Sequence, residues 1–262
     1  MSEQLSSVNS PEQKQPKDRY MRLYRLGRFA IRATHAITVE GAENILDEPA
    51  IYAANHVDFM DSLIISMLVT EKTKKPTRFI IKKEYMEGGG LDGKGRFGKS
   101  VMWFMKATQQ IPVDRENEDP ASILAMIRAA KAVKARGERL GIHPTGTRIN
   151  DDEGLPEFNP GVGAIALATD EAVVPTGVGG YDQRKHWYNR RPVHVRFGVP
   201  IQPEEFATLA DPDAVEEEHT RRLTGKEKVS RLTRNLEARV AELLGIHRTH
   251  TKAKLRKYRD DE

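Results

Sequence analysis

The sequence predicts an α/β fold, a central mixed, mostly parallel sheet flanked by helices, preceded by an amphipathic helix suited to a membrane surface. Two patterns carry this reading. Short apolar runs bounded by Gly, Pro or Asp, such as residues 50–54 and 172–177, recur along the chain and read as strands. Between them lie segments with apolar residues at spacings of three and four, which read as helices. Strands alternating with helices indicate helices packed on a sheet. The 262 residues suit one large domain, or a domain plus a small appendage, and can bury a substantial core.

In chain order, residues 1–17 are polar and rich in Pro, Gln and Ser, which predicts a disordered N-terminus without the apolar core of a signal peptide. Residues 18–35 follow as a basic amphipathic helix. At about 100° per residue, Arg22, Arg25, Arg28 and Arg32 gather on one arc and Tyr20, Leu23, Tyr24, Leu26, Ala30 and Ile31 on the other, while Met21 and Phe29 break the pattern. Such a helix can lie in a membrane interface with its arginines at anionic headgroups, or pack on the domain as an ordinary surface helix.

Residues 36–246 make the main domain. Its first half reads as a strand over 36–40, a turn over 41–49, a strand over 51–54, a helix over 59–70 and a strand over 78–82. A Gly-rich loop over 88–98, a helix over 100–107 and a strand over 110–113 come next. Asp119 and Pro120 form an N-cap and first-turn pair for a helix that runs to Arg136 and is closed by Gly137. A strand over 140–143, a helix over 162–169 and strands over 172–177 and 193–197 complete the alternation. The acidic segment 203–224 reads as a solvated helix or linker. The helix over 226–244 carries Val229, Leu232, Leu236, Val240 and Leu243 as a core-facing stripe. Residues 247–262 are a basic tail, read as solvated or as touching anionic lipid or nucleic acid.

Composition narrows the chemistry. Hydrophobic residues make up 38% and charged residues 31%, and no run of 18 apolar residues exists, which argues against a multispanning membrane protein. Cysteine is absent, which excludes disulfides, thiolate nucleophiles and cysteine-based zinc sites and fits a cytoplasmic location. The net charge of +4 and pI near 9.1 are modest, so the placement of the basic residues matters more than their number.

One stretch stands out. His56 and Asp61 lie five positions apart where the strand over 51–54 hands over to a helix. There a carboxylate can hold one imidazole nitrogen while the other takes a proton, which activates a hydroxyl without cysteine, metal or cofactor. Asp58 is an alternative orienter, with a spacing that better suits an N-cap on the following helix. A His-Asp-Asp metal site is conceivable, but no further ligands stand nearby in a matching pattern. His186 and His194 have no motif around them and read as structural.

Four blocks in order extend the pattern. Gly41-Ala42-Glu43-Asn44-Ile45 with Ala53-Ala54-Asn55-His56 and Asp61 comes first, then Gln110 to Arg115, then His143-Pro144-Thr145-Gly146-Thr147-Arg148, then Val173-Val174-Pro175-Thr176, trailed by Phe197 to Ile201. Together they resemble the glycerolipid acyltransferases of the 1-acylglycerol-3-phosphate acyltransferase type with their His-x4-Asp motif. The resemblance covers roughly residues 39–201.

It implies acyl transfer from an acyl-thioester, acyl-CoA or acyl-carrier protein, to the hydroxyl of a lysophospholipid, with 1-acylglycerol-3-phosphate giving phosphatidic acid. His56 is then the general base and Asp61 its orienter. Arg115, Gly146, Thr147, Arg148 and Lys82 are expected at the acceptor phosphate, with Lys83 competing with Lys82. Asn55, Thr145, Pro175 and Thr176 are expected in the acceptor cleft. The resemblance implies no metal or prosthetic group, no nucleic acid, and peripheral attachment to the cytoplasmic face of an anionic membrane.

The chain departs from the family pattern at Thr145, where the third block has a glutamate, at His143, where it has an aromatic residue, and at Pro160, before Gly161, where a lysine is frequent. The missing carboxylate leaves the acceptor open among a lysolipid, another hydroxyl and an amine. Two other readings stay open. Residues 93–100, Gly93-Lys94-Gly95-Arg96-Phe97-Gly98-Lys99-Ser100, match a P-loop, whose glycines and lysine would cradle nucleotide phosphates. Alternatively the fold binds lipid without catalysing.

Overall fold

The computed structural model describes residues 19–87, 96–113, 120–149, 154–181, 189–213 and 223–252. The N-terminus before residue 19, most of the Gly-rich loop, the Asp119 cap, Arg115, His186, residues 214–222 and the tail beyond 252 lie outside them.

Among the described residues seven strands form the sheet: β1 (His35–Glu40), β2 (Ile51–Ala54), β3 (Thr77–Lys82), β4 (Ile111–Val113), β5 (Arg139–Ile142), β7 (Val173–Gly179) and β8 (Arg191–Phe197), in spatial order β1-β8-β7-β2-β5-β3-β4. Every neighbouring pair is parallel except β7 with β8. The expected mixed, mostly parallel sheet is what forms. The helices are α1 (Tyr20–Thr34), α2 (Asp61–Thr73), α3 (Glu84–Glu87), α4 (Arg96–Ala107), α5 (Pro120–Ala135), α6 (Gly161–Thr169) and α7 (Gly225–Leu244).

Both sheet faces are covered, and β2 shows how. Ile51 and Ala53 pack into one core with α5, α6 and α7, whereas Tyr52 and Ala54 pack into the other with α2. A strand buried on both sides needs apolar residues at every position, which is why 51–54 reads as an unbroken run rather than an alternation. On α7, Leu232, Leu236 and Val240 are fully buried, as the stripe predicts. Thr224 and Glu227 cap that helix reciprocally, and Gly245 closes it in the left-handed region.

The glycine at 41 serves a close approach. Its φ is +68°, and a Cβ there would sit 2.0 Å from the Phe197 carbonyl oxygen. Asn44 then donates from Nδ2 to that same carbonyl at 2.8 Å, so the turn between β1 and β2 is clamped onto the end of β8.

Three expectations are corrected. The helix expected from residue 100 begins at Arg96. The acidic segment is not wholly solvated: Pro203–Ala207 forms a 3-10 turn with Phe206 buried, and Asp211 and Asp213 face Arg234 of α7. The basic tail starts with a strand, β9 (Arg248–Lys252), paired in parallel with β6 (Leu155–Glu157). Opposite charge explains both: Arg248 meets Asp213 and the buried Glu237, which draws the chain end onto the fold.

α1 is anchored at its first residue. Tyr20 is buried, its hydroxyl 3.0 Å from Thr70 Oγ1, and the Arg78 guanidinium lies over its ring at 5.0 Å from the centroid. Arg78, itself fully buried, is held by two bonds to Glu138. Tyr20, Leu23, Tyr24 and Ile31 turn inward, but Leu26 does not join them. Leu26 is 73% exposed and Phe29 65%. The two are about 60° apart at 100° per residue, so they share an outward face. Arg22 and Arg25 are exposed beside it, whereas Arg32 pairs with Glu71 and Arg28 reaches the inner cavity.

Candidate active site

β2 ends at Ala54, and the next residue keeps the ladder going with its side chain. Asn55 is fully buried; its Nδ2 donates to the Val178 carbonyl at 2.7 Å, and its Oδ1 accepts from the Val178 N–H at 2.8 Å. The chain can therefore leave the sheet at residue 56 without orphaning β7. Carboxyl ends of strands in such sheets are where crevices open.

Asp61, the first residue of α2, is also fully buried and gathers four donors. Its Oδ2 accepts from His56 Nδ1 at 2.9 Å, the Val57 N–H at 2.7 Å and the Asp58 N–H at 2.9 Å, and its Oδ1 accepts from the Tyr181 hydroxyl at 2.7 Å. The carboxylate thus folds the 56–60 loop around itself and fixes the His56 ring. Burial pushes the Asp61 carboxyl up to about 6, against the opposing pull of His143, the Asp58 N–H, the Tyr181 hydroxyl and the Val57 N–H. It is ionised at pH 7. Burial and the adjacent Asp61 also push the Tyr181 phenol far above its ordinary value, so it stays a donor.

Tyr181 escaped the sequence reading. Its signal was positional: it follows Gly179 and Gly180 past the end of β7, the strand beside β2. Asp58 is neither orienter nor N-cap. Its Oδ1 accepts from the Met60 N–H at 2.9 Å and its Oδ2 pairs with Arg191 at 2.7 Å, because the helix starts two residues later than expected. Directed at Arg191, it does not join His56 and Asp61 as a third metal ligand. His194 lies against Gly180 in the sheet.

His143 follows β5, next to β2, and stacks on His56 with ring centroids 4.1 Å apart and planes 9° from parallel. Its Nδ1 lies 2.9 Å from the Asn55 carbonyl and 3.1 Å from that of Ala54, and its Nε2 lies 2.9 Å from Ser62 Oγ. A histidine thus takes the aromatic place of the third block and brings hydrogen bonds with it.

His56, Ser62 and His143 open onto a cavity of about 310 Å³ between α1, α2, β3 and α4. Its wall is mainly apolar, with Leu23, Ile31, Met67, Phe79, Ile81 and Phe104 along it. Lys82, Gly146, Thr147 and Arg148 line it too, so these expected cleft residues share one space with His56. Lys83 is instead exposed and paired with Glu87 at 3.2 Å. Gly146, at φ +73°, makes the turn that brings the Thr147 and Arg148 backbone beside the cavity.

The four acceptor-cleft residues are not on this wall. Asn55 is spent on Val178, and Thr145 is buried with its hydroxyl on the Thr147 carbonyl at 2.9 Å. Thr176 and Pro175 are buried inside β7, where the Thr176 hydroxyl donates to the Val174 carbonyl and the Pro175 carbonyl accepts from the Gly198 N–H. They support the site from behind.

The P-loop reading fails on geometry. Gly93, Lys94 and Gly95 lie outside the described residues; Arg96, Phe97 and Gly98 already belong to α4, and the described element before the Gly-rich segment is helix α3, not a strand. A P-loop leaves a strand directly, and no such strand enters the Gly-rich segment among the described residues.

Comparison with known proteins agrees with this architecture. The sequence profile of the family described as Acyltransferase matches residues 36–179, more than half of the chain. A 1-acyl-sn-glycerol-3-phosphate acyltransferase of Bacillus subtilis (strain 168) is 26% identical over 208 residues, covering 79% of this chain and 87% of that protein. A chloroplastic 1-acyl-sn-glycerol-3-phosphate acyltransferase of Arabidopsis thaliana is 30% identical over 150 residues, 56% of this chain and 37% of that longer protein. The crystal structure of the 1-acyl-sn-glycerophosphate acyltransferase from Thermotoga maritima superposes with a TM-score of 0.55 at 21% identity, covering 86% of this chain and 78% of that one, which establishes the shared fold.

Proposed function

This chain belongs to the acyltransferase family, and from that premise we propose that it moves a fatty acyl group from an acyl-thioester to the free hydroxyl of 1-acylglycerol-3-phosphate, giving phosphatidic acid. One observation carries the reading: a carboxylate-backed histidine opens onto an apolar cavity whose wall also bears Lys82 and Arg148.

Asp61 engages His56 Nδ1, so Nε2 takes the proton of the acceptor hydroxyl. The hydroxyl oxygen attacks the thioester carbonyl, the imidazolium forms beside the Asp61 carboxylate, and the proton passes to the departing thiolate. The apolar wall suits an acyl chain, each buried methylene contributing about 0.8 kcal/mol. Arg148 and Lys82 suit the acceptor phosphate and the charge that develops at the carbonyl. The outward Leu26 and Phe29, with Arg22 and Arg25 beside them, support docking of α1 on an anionic membrane. Among the described residues no helix is long and apolar enough to cross one.

The test is acceptor-dependent thiol release from acyl-CoA, or from acyl-carrier protein, with a panel of lysophospholipids. We expect the phosphomonoester acceptor to be preferred and His56→Ala to reduce turnover by at least about a hundredfold with the fold intact. Unchanged turnover in that variant would sink the mechanism.

A further inference from the structure

Two histidines stand face to face in this site, and the proposed transfer uses one of them. His56 is backed by a carboxylate, whereas His143 is backed by carbonyls and has a serine hydroxyl beside it. Backbone carbonyls only accept, so the contacts of His143 Nδ1 with the Asn55 and Ala54 oxygens put the proton on Nδ1. In the neutral ring Nε2 is then an acceptor, and Ser62 Oγ, 2.9 Å away, donates to it. The carbonyl pair orients the imidazole, the imidazole accepts from the serine, and both side chains line the cavity that His56 lines. Ser62 is also in the first turn of α2, where the helix dipole favours negative charge on its oxygen.

We propose that Ser62 and His143 form a second nucleophilic centre, which takes the acyl group onto Ser62 and hydrolyses the thioester when no acceptor is bound. It rests on the reading that an acyl-thioester enters this cavity. Ser62 Oγ attacks the thioester carbonyl and its proton passes to His143 Nε2. The carbon–sulfur bond breaks, and the leaving sulfur takes that proton to depart as a thiol, leaving an acyl ester on Ser62. Water then attacks the ester carbonyl, giving one proton through His143 to Ser62 Oγ, and a carboxylic acid leaves. The net reaction is thioester plus water to acid plus thiol, with no oxidant or cofactor.

An alkyl fluorophosphonate tests the nucleophile without needing the right donor, because it phosphonylates activated serines and expels fluoride. Peptide mapping of the labelled full chain should place the adduct on Ser62; Ser62→Ala should lose it, and His143→Phe, which keeps an aromatic ring on His56, should label about a hundredfold more slowly. In parallel, acyl-CoA and acyl-carrier protein without acceptor should release thiol and leave an acyl mass on the Ser62 peptide. A well-folded wild-type chain that leaves Ser62 unlabelled, or a His143→Phe variant that labels at the wild-type rate, overturns the pair. Acceptor-dependent transfer with no acceptor-free thiol release and no acyl-Ser62 overturns the second activity and leaves the proposed function standing. A labelled Ser62 with both donors inert in the presence and absence of acceptor refutes the thioester step here and the proposed function together.

Discussion

Asp61→Asn separates charge from geometry in this site. Oδ2 takes three donors and Oδ1 takes one, from a hydroxyl that can reverse its role. An asparagine therefore settles with its oxygen at the Oδ2 position and its amide donating to Tyr181, and His56 keeps its Nδ1–H bond and its tautomer. What is lost is the negative charge beside the imidazolium. At about 4 Å between charge centres and an effective dielectric of about 20, that charge is worth about 4 kcal/mol, or roughly three orders of magnitude in kcat/KM.

The same substitution should stabilise the fold. The folded carboxyl sits at about 6 against its ordinary 3.8, so the native state holds the proton more tightly than the unfolded chain does. Its cost is absent below about pH 4, grows as pH rises through 6 and is complete above, where it reaches about 3 kcal/mol. Asparagine escapes that cost. Thiol-release kinetics at pH 8, with denaturant unfolding at pH 8 and pH 4, measure both effects. A kcat/KM loss under about tenfold, or a variant clearly less stable than wild type at pH 8, would refute the reasoning.

Other expectations follow from the cavity and from α1. Gly27 lines the cavity from α1, and a Cβ there meets nothing within 4 Å. Gly27→Leu should thus raise stability by about 0.8–1 kcal/mol through helix propensity, and competition assays should show the preferred acyl chain shortened by the filled space. Arg148→Ala should raise the KM for the phosphorylated acceptor by roughly 10- to 100-fold and leave the KM for the acyl donor nearly unchanged; an equal effect on both would remove the phosphate assignment. Leu26→Glu with Phe29→Glu should weaken co-sedimentation with anionic vesicles at least about tenfold, and undiminished binding would dismiss α1 as the docking element.

Much of the fold was legible because β2, β3 and β7 are buried on both faces, which forces apolar runs into the sequence: Ile51–Ala54 in β2, Phe79–Ile81 in β3 and Val173–Val174 in β7. The His56–Asp61 pair was legible because its partners are local. What stayed hidden depends on distance and direction. Tyr181 lies 120 positions from Asp61, and His143 lies 81 from Ser62, so neither contact leaves a local pattern. Motif order brought Thr145, Pro175 and Thr176 near the site but could not tell which way their side chains point. Leu26 defeats a division of α1 into one arginine arc and one apolar arc, because the helix has apolar residues on two sides. β9 reads as a solvated tail until Asp213 and Glu237 are placed beside Arg248.

The Asn55 side chain has a kinetic consequence. By clasping both backbone groups of Val178, it welds the first peptide beyond β2 to a strand at the centre of the sheet. The Val178 amide is then locked by a side chain, and its exchange with deuterium should keep the slow clock of the sheet interior rather than the fast one of a surface loop. His56, one residue further on, inherits that clock: the base waits for its substrate already seated, and what remains to move is the substrate.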